Sequence, residues 1–374
     1  MKKVFVLSQN IVSPLGNTVK ENFDALCAGR TAVAVHQDAS RSEVPFCAAL
    51  LPPAFFATDT TSFTPFEYVL KASVTDAVKQ AGIDTTDPDT LLILSSTKGN
   101  IGRLEQQPVT KELKKEIGLT VSAEKLAAHF GFVHRPMIVS HACISGTLAI
   151  ITAKRLLEAG KYKTVVVAGA DLITRFILSG FQSFHAVSDT LCKPFDANRS
   201  GINLGEAAAT IVLSTRPEPE GIIISGGGVS NDANHISGPS RTGEELFIAI
   251  DRAMKEAGVG TDTVDFISAH GTATMYNDDM ESRAINLAGL QDVPVNSLKG
   301  YYGHTLGAAG LLETVISIES ARNNTIIPTK GFETSGTVKP INICSALTEK
   351  PVRAFLKTAS GFGGCNAAIV VRKV

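Results

Sequence analysis

Residues 137–160 read MIVSHACISGTLAIITAKRLLEAG. The short apolar run Met137–Val139 reads as a buried strand, and after a turn the long apolar stretch Ile144–Leu157 reads as a buried helix. Cys143 falls at the junction, one residue before the predicted helix. Unpaired backbone N–H groups and the positive end of the helix dipole favour a thiolate there. Cysteines in such positions titrate between about 3.5 and 7.5, against about 8.5 for a free thiol. Ser145, Gly146 and Ala149 are small, so backbone or ligand can approach the start of the helix closely. A buried cysteine is also an ordinary small apolar residue. This stretch therefore nominates Cys143 as a nucleophile, and the rest of the chain has to decide.

The chain has 374 residues, of which 44% are hydrophobic, enough for one large or two ordinary domains. A net charge of −1 gives no footprint for non-specific nucleic-acid binding. The absence of Trp argues against base-stacking platforms. Cys27, Cys47, Cys143, Cys192, Cys344 and Cys365 are scattered, with no C-x-x-C pair and no metal-ligand spacing. With no signal peptide evident, free thiols and a cytoplasmic location are expected. No apolar run is long enough to span a bilayer.

The apolar pattern runs twice. Strands are predicted at Lys3–Leu7, Leu91–Ser95, Thr164–Ala170 and Ala208–Leu213, with helices at Thr18–Ala28 and Phe63–Ala81. Residues 30–62 and 172–190 read as irregular, and residues 97–135 as short surface helices. Arg216–Glu220, RPEPE, is the clearest linker. Beyond it, Ile222–Ser225 resembles the first strand, Glu244–Ala257 is a helix, and Val264–Ala269 and Val293–Ser297 are strands. His304–Asn323 then parallels Cys143–Gly160, Arg353–Thr358 parallels Thr164–Ala170, and GCNAAIVV (364–371) parallels GEAAATIVL (205–213). The chain thus divides into residues 1–218, carrying Cys143, and 219–374, carrying two histidines, as one βα plan used twice. Equivalent helix starts at Cys143 and His304 would then meet at the carboxyl ends of strands, where open α/β sheets bind ligands.

Three stretches of the second half place reactive groups at strand ends. In SAHGTATMYNDDMESRAI (268–285), His270 ends a strand and Gly271 permits a sharp turn. In VNSLKGYYGHTLGAAGLLE (295–313), Lys299 and His304 follow a strand. His304 reads as opening a helix, whose dipole would keep its imidazole neutral near pH 7, with one nitrogen held by a backbone hydrogen bond. In SGFGGCNAA (360–368), the glycines offer backbone N–H groups to an anion. A thiolate, two neutral histidines, a lysine and backbone donors suit acyl transfer followed by a decarboxylative Claisen condensation. Metal binding fits less well, because the histidines lack H-E-x-x-H or tight His/Cys spacing. SGGG (225–228) reads as a strand-end loop, His141 receives no role, and Cys192 and Cys365 read as inert.

HACISGT, KPFDANRSGINLGEAA, HGTATMYNDDME, NSLKGYYGHTLGAAG and GFGGCNAA occur in this order, after an opening KKVFV and NIVSPLGNTVKENFDALCAGR. Together they resemble the β-ketoacyl synthases, the condensing enzymes of fatty-acid and polyketide synthesis. The resemblance implies a thiolase-like duplicated α/β fold in five layers, αβαβα. It implies Cys143 as nucleophile and His270 and His304 as the residues of decarboxylation and enolate stabilisation. Lys299 and Glu281 match a supporting charged pair, and Asp278 matches the Asp of an HGTxTxxxD motif. The N–H groups of Cys143 and Phe362 would form the oxyanion hole, with Phe362 also the gate between acyl and malonyl access. Thr272, Thr274, Gly363 and Gly364 would bind substrate. The implied partners are acyl carrier protein, loaded with acyl and malonyl groups, and a second subunit in a homodimer or a heterodimer with a related ketosynthase. No metal or organic cofactor is implied.

The chain also departs from that family. It is short in 36–60 and 97–135, where relatives build a cap and part of the acyl tunnel. Ser360 stands where a second Phe is common, Ile144 follows the cysteine where smaller residues are frequent, Cys365 replaces a usual Thr, and LSQN replaces a Gly-rich turn. These differences leave the triad intact and leave the acyl group open. Two alternatives stay in view: a non-decarboxylating thiolase, which would use a second cysteine where this chain has His304, and a non-catalytic chain-length or initiation partner subunit, which would typically lack the cysteine.

Overall fold

The computed structural model describes residues 2–57, 62–218, 221–233 and 238–374. Ten strands build the main sheet. In chain order they are β1 Phe5–Val12, β2 Thr90–Ser95, β3 Met137–Val139, β4 Thr164–Asp171, β5 Ala207–Ser214, β6 Ile222–Asn231, β7 Phe266–Ser268, β8 Val295–Asn296, β9 Ala354–Gly361 and β10 Cys365–Lys373. The helices of nine or more residues are α1 Val19–Cys27, α2 Pro65–Ala81, α3 Leu119–Phe130, α4 Ser145–Glu158, α5 Arg175–Ser183, α6 Glu244–Ala257, α7 Met275–Leu287 and α8 Ala309–Asn323.

The first five strands lie in the order β1-β5-β4-β2-β3, and the second five in the order β6-β10-β9-β7-β8. In each half the first two pairings are antiparallel and the next two parallel. The halves join through a single β1–β6 pair, Phe5 opposite Ile223. The strand equivalences read from the sequence reappear here as equivalent places in the two orders.

Strand β4 shows why its sequence is apolar throughout. Val165 and Val167 face a core containing α4 and α8, while Val166 and Ala168 face a second core containing α2 and α3. A strand covered on both sides loses its hydrophobic alternation. A third core packs α6 and α7 on the other side of β7, β9 and β10. The layers are therefore helix, sheet, central helices, sheet and helix, as expected.

Local signals set the helix ends. Thr18 and Thr64 form capping boxes with Glu21 and Glu67. Pro65 occupies the first helical position of α2, and Gly82, at φ 58°, ends it in the left-handed region.

In the central layer, α4 and α8 pack together. A Cβ on Gly146 would lie 2.6 Å from the Leu311 nitrogen, and one on Gly310 would lie 2.1 Å from Thr147 Oγ1. The small residues at the start of α4 thus admit the partner helix, and the crossing brings Cys143 and His304 together.

Three readings need correction. Residues 30–62 include strands Ala34–His36 and Phe46–Ala49, which join Leu204–Gly205 in a small sheet, and a helix at Pro53–Phe56; residues 58–61 lie outside the described residues. Strands of three or four residues carry too little periodicity to detect. Residues 172–190 contain α5, capped by Thr174. His304 does not open a helix: α8 begins at Ala309, after a 3₁₀ turn at Leu306–Ala308. Of the linker, Pro219 and Glu220 lie outside the described residues.

Candidate active site

Cys143 projects from a tight turn between β3 and α4. The His141 N–H donates to Ser145 Oγ at 2.7 Å, and that hydroxyl donates to the Ala142 carbonyl at 2.7 Å. Ala142 is held at φ 45°, a conformation costing about 1–3 kcal/mol that persists only where surroundings enforce it. The sequence signal for this clamp is a hydroxyl, Ser145, at the first helical position after the turn. Cys143 is buried at the foot of an open cavity that Phe362 also lines. Burial pushes the Cys143 thiol up to about 12, reinforced by Cys365 and opposed by Lys299. Burial thus works against the thiolate that a helix terminus favours, and a base beside the thiol would assist its ionisation.

His270, two residues beyond β7, and His304 meet edge to face, with ring centroids 5.3 Å apart. The sulfur of Cys143 and one nitrogen of each histidine lie within 4.8 Å of one another. Both imidazoles are held well below their ordinary pKa, by burial first and then by Lys299 and Lys357. His304 is therefore neutral, as expected, but through desolvation and two neighbouring cations. Among the described residues its ring nitrogens have no hydrogen-bond partner, and the expected backbone bond to the ring is not among them. Its backbone is pinned instead: the His304 N–H donates to Asn203 at 2.7 Å, and the Gly205 N–H donates to the His304 carbonyl at 3.0 Å.

Lys299 fixes His270. Its Nζ donates to the His270 carbonyl and lies 3.5 Å from His270 Nδ1. An ammonium group can only donate, so Nδ1 accepts and a neutral His270 carries its proton on Nε2.

Lys299 does not pair with Glu281. Its carboxylate partner is Glu313 on α8, at 2.7 Å, and Lys357 on β9 takes the other oxygen of Glu313 at 2.5 Å. Glu281 accepts backbone N–H groups from His270 and Gly271, the Asn277 amide at 3.0 Å and the Thr358 hydroxyl at 3.0 Å. It orients the turn that carries His270. The sequence pattern does not single out Glu313 and Lys357, yet both carry a signal: an acidic residue in a buried apolar helix, and a lysine inside the apolar run AFLKTA.

The cavity measures about 450 Å³ and is lined by Cys143, His270, His304, Thr272, Thr274 and Phe362 among others. Thr272 and Thr274 share a hydrogen bond of 2.8 Å at its wall. Gly363 and Gly364 do not line it; at φ 85° and 77° they shape the hairpin that presents Phe362. The Phe362 ring is packed by Phe181 and Phe184, with centroids at 5.7 and 5.4 Å. Asp278 is fully buried below, accepting the Thr272 N–H at 3.0 Å and the Phe195 N–H at 2.7 Å. Burial raises its pKa to about 7. It ties the Thr272 turn to the Phe195 loop.

Three donors this close could suggest a metal. The donor set fits one poorly, because the available nitrogen of His270 already carries a proton and Lys299 and Lys357 place positive charge behind it.

Residues 1–218 match the N-terminal domain of the β-ketoacyl synthases, and residues 222–333 match their C-terminal domain. A putative mitochondrial 3-oxoacyl-[acyl-carrier-protein] synthase of Schizosaccharomyces pombe is 26% identical, across 100% of this chain and 99% of the relative. A putative polyketide β-ketoacyl synthase 1 of Streptomyces halstedii is 27% identical, across 99% and 98%. A solved structure of the Xenorhabdus doucetiae ketosynthase ApeO, in complex with its chain length factor ApeC, aligns with a TM-score of 0.87 at 25% identity, covering 100% of this chain and 98% of that one. The fold and the buried site define a thiolase-like acyltransferase. The chain belongs to the β-ketoacyl synthase family. No helix among the described residues is long and apolar enough to cross a membrane.

Proposed function

We propose that this β-ketoacyl synthase condenses an acyl group, held as a thioester on Cys143, with malonyl-acyl carrier protein. The single observation carrying this reading is the convergence of one buried thiol and two neutral histidines within 4.8 Å at the foot of an open cavity. The thiol cannot ionise unaided, and His304 is the ring with unpartnered nitrogens able to take its proton. Sulfur attacks the acyl thioester, and the proton passes through His304 to the departing carrier thiolate. Both imidazoles are then neutral again. The malonyl carboxylate leaves as CO₂, while His270 Nε2–H and His304 donate to the enolate oxygen. The carbanion attacks the acyl-Cys143 carbonyl, whose developing charge falls to the N–H groups of Cys143 and Phe362. Collapse releases the 3-oxoacyl carrier thioester, and Cys143 recovers a proton from solvent.

Thr272 and Thr274 would guide the carrier's arm, and Phe362 would separate the acyl and malonyl phases. Edge strand β3, with Met137 exposed, fits pairing with a second subunit, either a copy or a related ketosynthase. The retained nucleophile and histidines weigh against a non-catalytic partner subunit. The test is condensation: acyl and malonyl carrier thioesters mixed with the protein should yield 3-oxoacyl carrier thioester and one CO₂ per turnover. Acyl consumption without CO₂ release would overturn the decarboxylative reading.

A further inference from the structure

Among the described residues the His304 ring has no hydrogen-bond partner, so its aim rests on the loop beneath it. That loop is strained, because Leu306 sits at φ 51°. Beside it the Gly307 N–H donates to Asp171 Oδ2 at 2.7 Å, and Ser95 Oγ donates to the Gly307 carbonyl at 3.2 Å. Asp171 ends β4 in the first half of the chain, whereas Gly307 belongs to the second. The fully buried carboxylate also accepts from the hydroxyls of Ser96 and Thr97 and from the N–H groups of Thr97 and Lys98.

We propose that Asp171 is the positioning residue for His304, acting through the Gly307 N–H across the junction of the two halves. A carboxylate is suited to the task because each donor facing it needs an acceptor; an amide at the same place would turn an NH₂ group toward at least one of them. Without the anchor, Leu306 can relax from its left-handed conformation and carry the His304 ring away from the Cys143 sulfur. A displacement of about 1 Å at a reacting group costs on the order of 10²-fold in rate.

This inference rests on the reading of Cys143 and His304 as an acylation pair, and the experiment separates the two. Intact mass spectrometry follows single-turnover acylation of Cys143 by an acyl carrier thioester, a signal readable over hours even when slow. Asp171→Asn should slow acylation about 10²-fold, and Asp171→Glu, which keeps the charge, should recover part of the rate. Ser95→Ala, which loosens Gly307 from its other side, should slow acylation less. In a His304→Ala background, neither Asp171→Asn nor Ser95→Ala should slow it further, because the ring they aim is gone. Should Asp171→Asn fail to fold, the Ser95→Ala cycle carries the test. Equal losses with and without His304, or wild-type acylation in the variants, overturn the proposal. If the wild-type protein takes no acyl group, the functional reading fails instead.

Discussion

Replacing Glu313 with glutamine leaves two buried ammonium groups facing each other without their shared counter-ion. Glu313, Lys299 and Lys357 are all buried, and both cations lie within 2.7 Å of its carboxylate. The Lys299 and Lys357 charges hold the Glu313 carboxyl below its ordinary range despite burial, so the loss is that of an ionised partner. Breaking a buried pair from one side costs about 3–5 kcal/mol. An unfolding entropy of roughly 2.1 cal/mol/K per residue over 374 residues gives about 0.8 kcal/mol/K, so Tm should fall by about 4–6 °C. Thermal melts at neutral pH measure this, and because the pair is buried the drop should persist in high salt. Adding Lys357→Met to Glu313→Gln removes one stranded charge and should restore part of the loss. A Glu313→Gln protein melting within about 1 °C of wild type would refute the ion-pair account.

Other outcomes follow from packing and charge. Gly146→Ala places a Cβ 2.6 Å from the Leu311 nitrogen, so α4 and α8 must separate. The expected cost is about 1–3 kcal/mol by thermal melt, with a fall in acyl transfer because that crossing juxtaposes Cys143 and His304. Burial raises the Cys143 thiol to about 12, so its thiolate fraction is small at pH 7 and grows tenfold per pH unit. Alkylation of Cys143 by iodoacetamide should therefore keep accelerating from neutral pH toward pH 10. A plateau below pH 8 would show that the helix terminus prevails over desolvation.

The sequence yielded the repeated plan because both halves use long, doubly covered strands whose apolar runs are unmistakable. Val165–Ala168 against Phe355–Leu356 is the clearest such match. Cys143, His270 and His304 could be read because each follows a strand and stands beside small residues. The short strands near Ala34 and Phe46 escaped, since their stability comes from tertiary pairing. So did α5, whose Phe176, Ile177 and Phe181 resemble a broken apolar loop. The partner of Lys299 is not legible in the sequence for a different reason. Glu281 and Glu313 are both acidic residues near histidine motifs, and only three-dimensional packing decides which one reaches the ammonium. The helix terminus that favours a Cys143 thiolate is visible in sequence, whereas the burial that opposes it is a property of the whole fold.

The central claim is that Cys143 carries the acyl group. The most direct measurement is intact mass after mixing the protein, and separately Cys143→Ala, with a panel of acyl carrier thioesters. The account predicts an increase of one acyl mass on the wild type alone, mapped by peptide analysis to Cys143. An adduct of equal size and rate on Cys143→Ala, or none on a folded wild type with any donor, would contradict it.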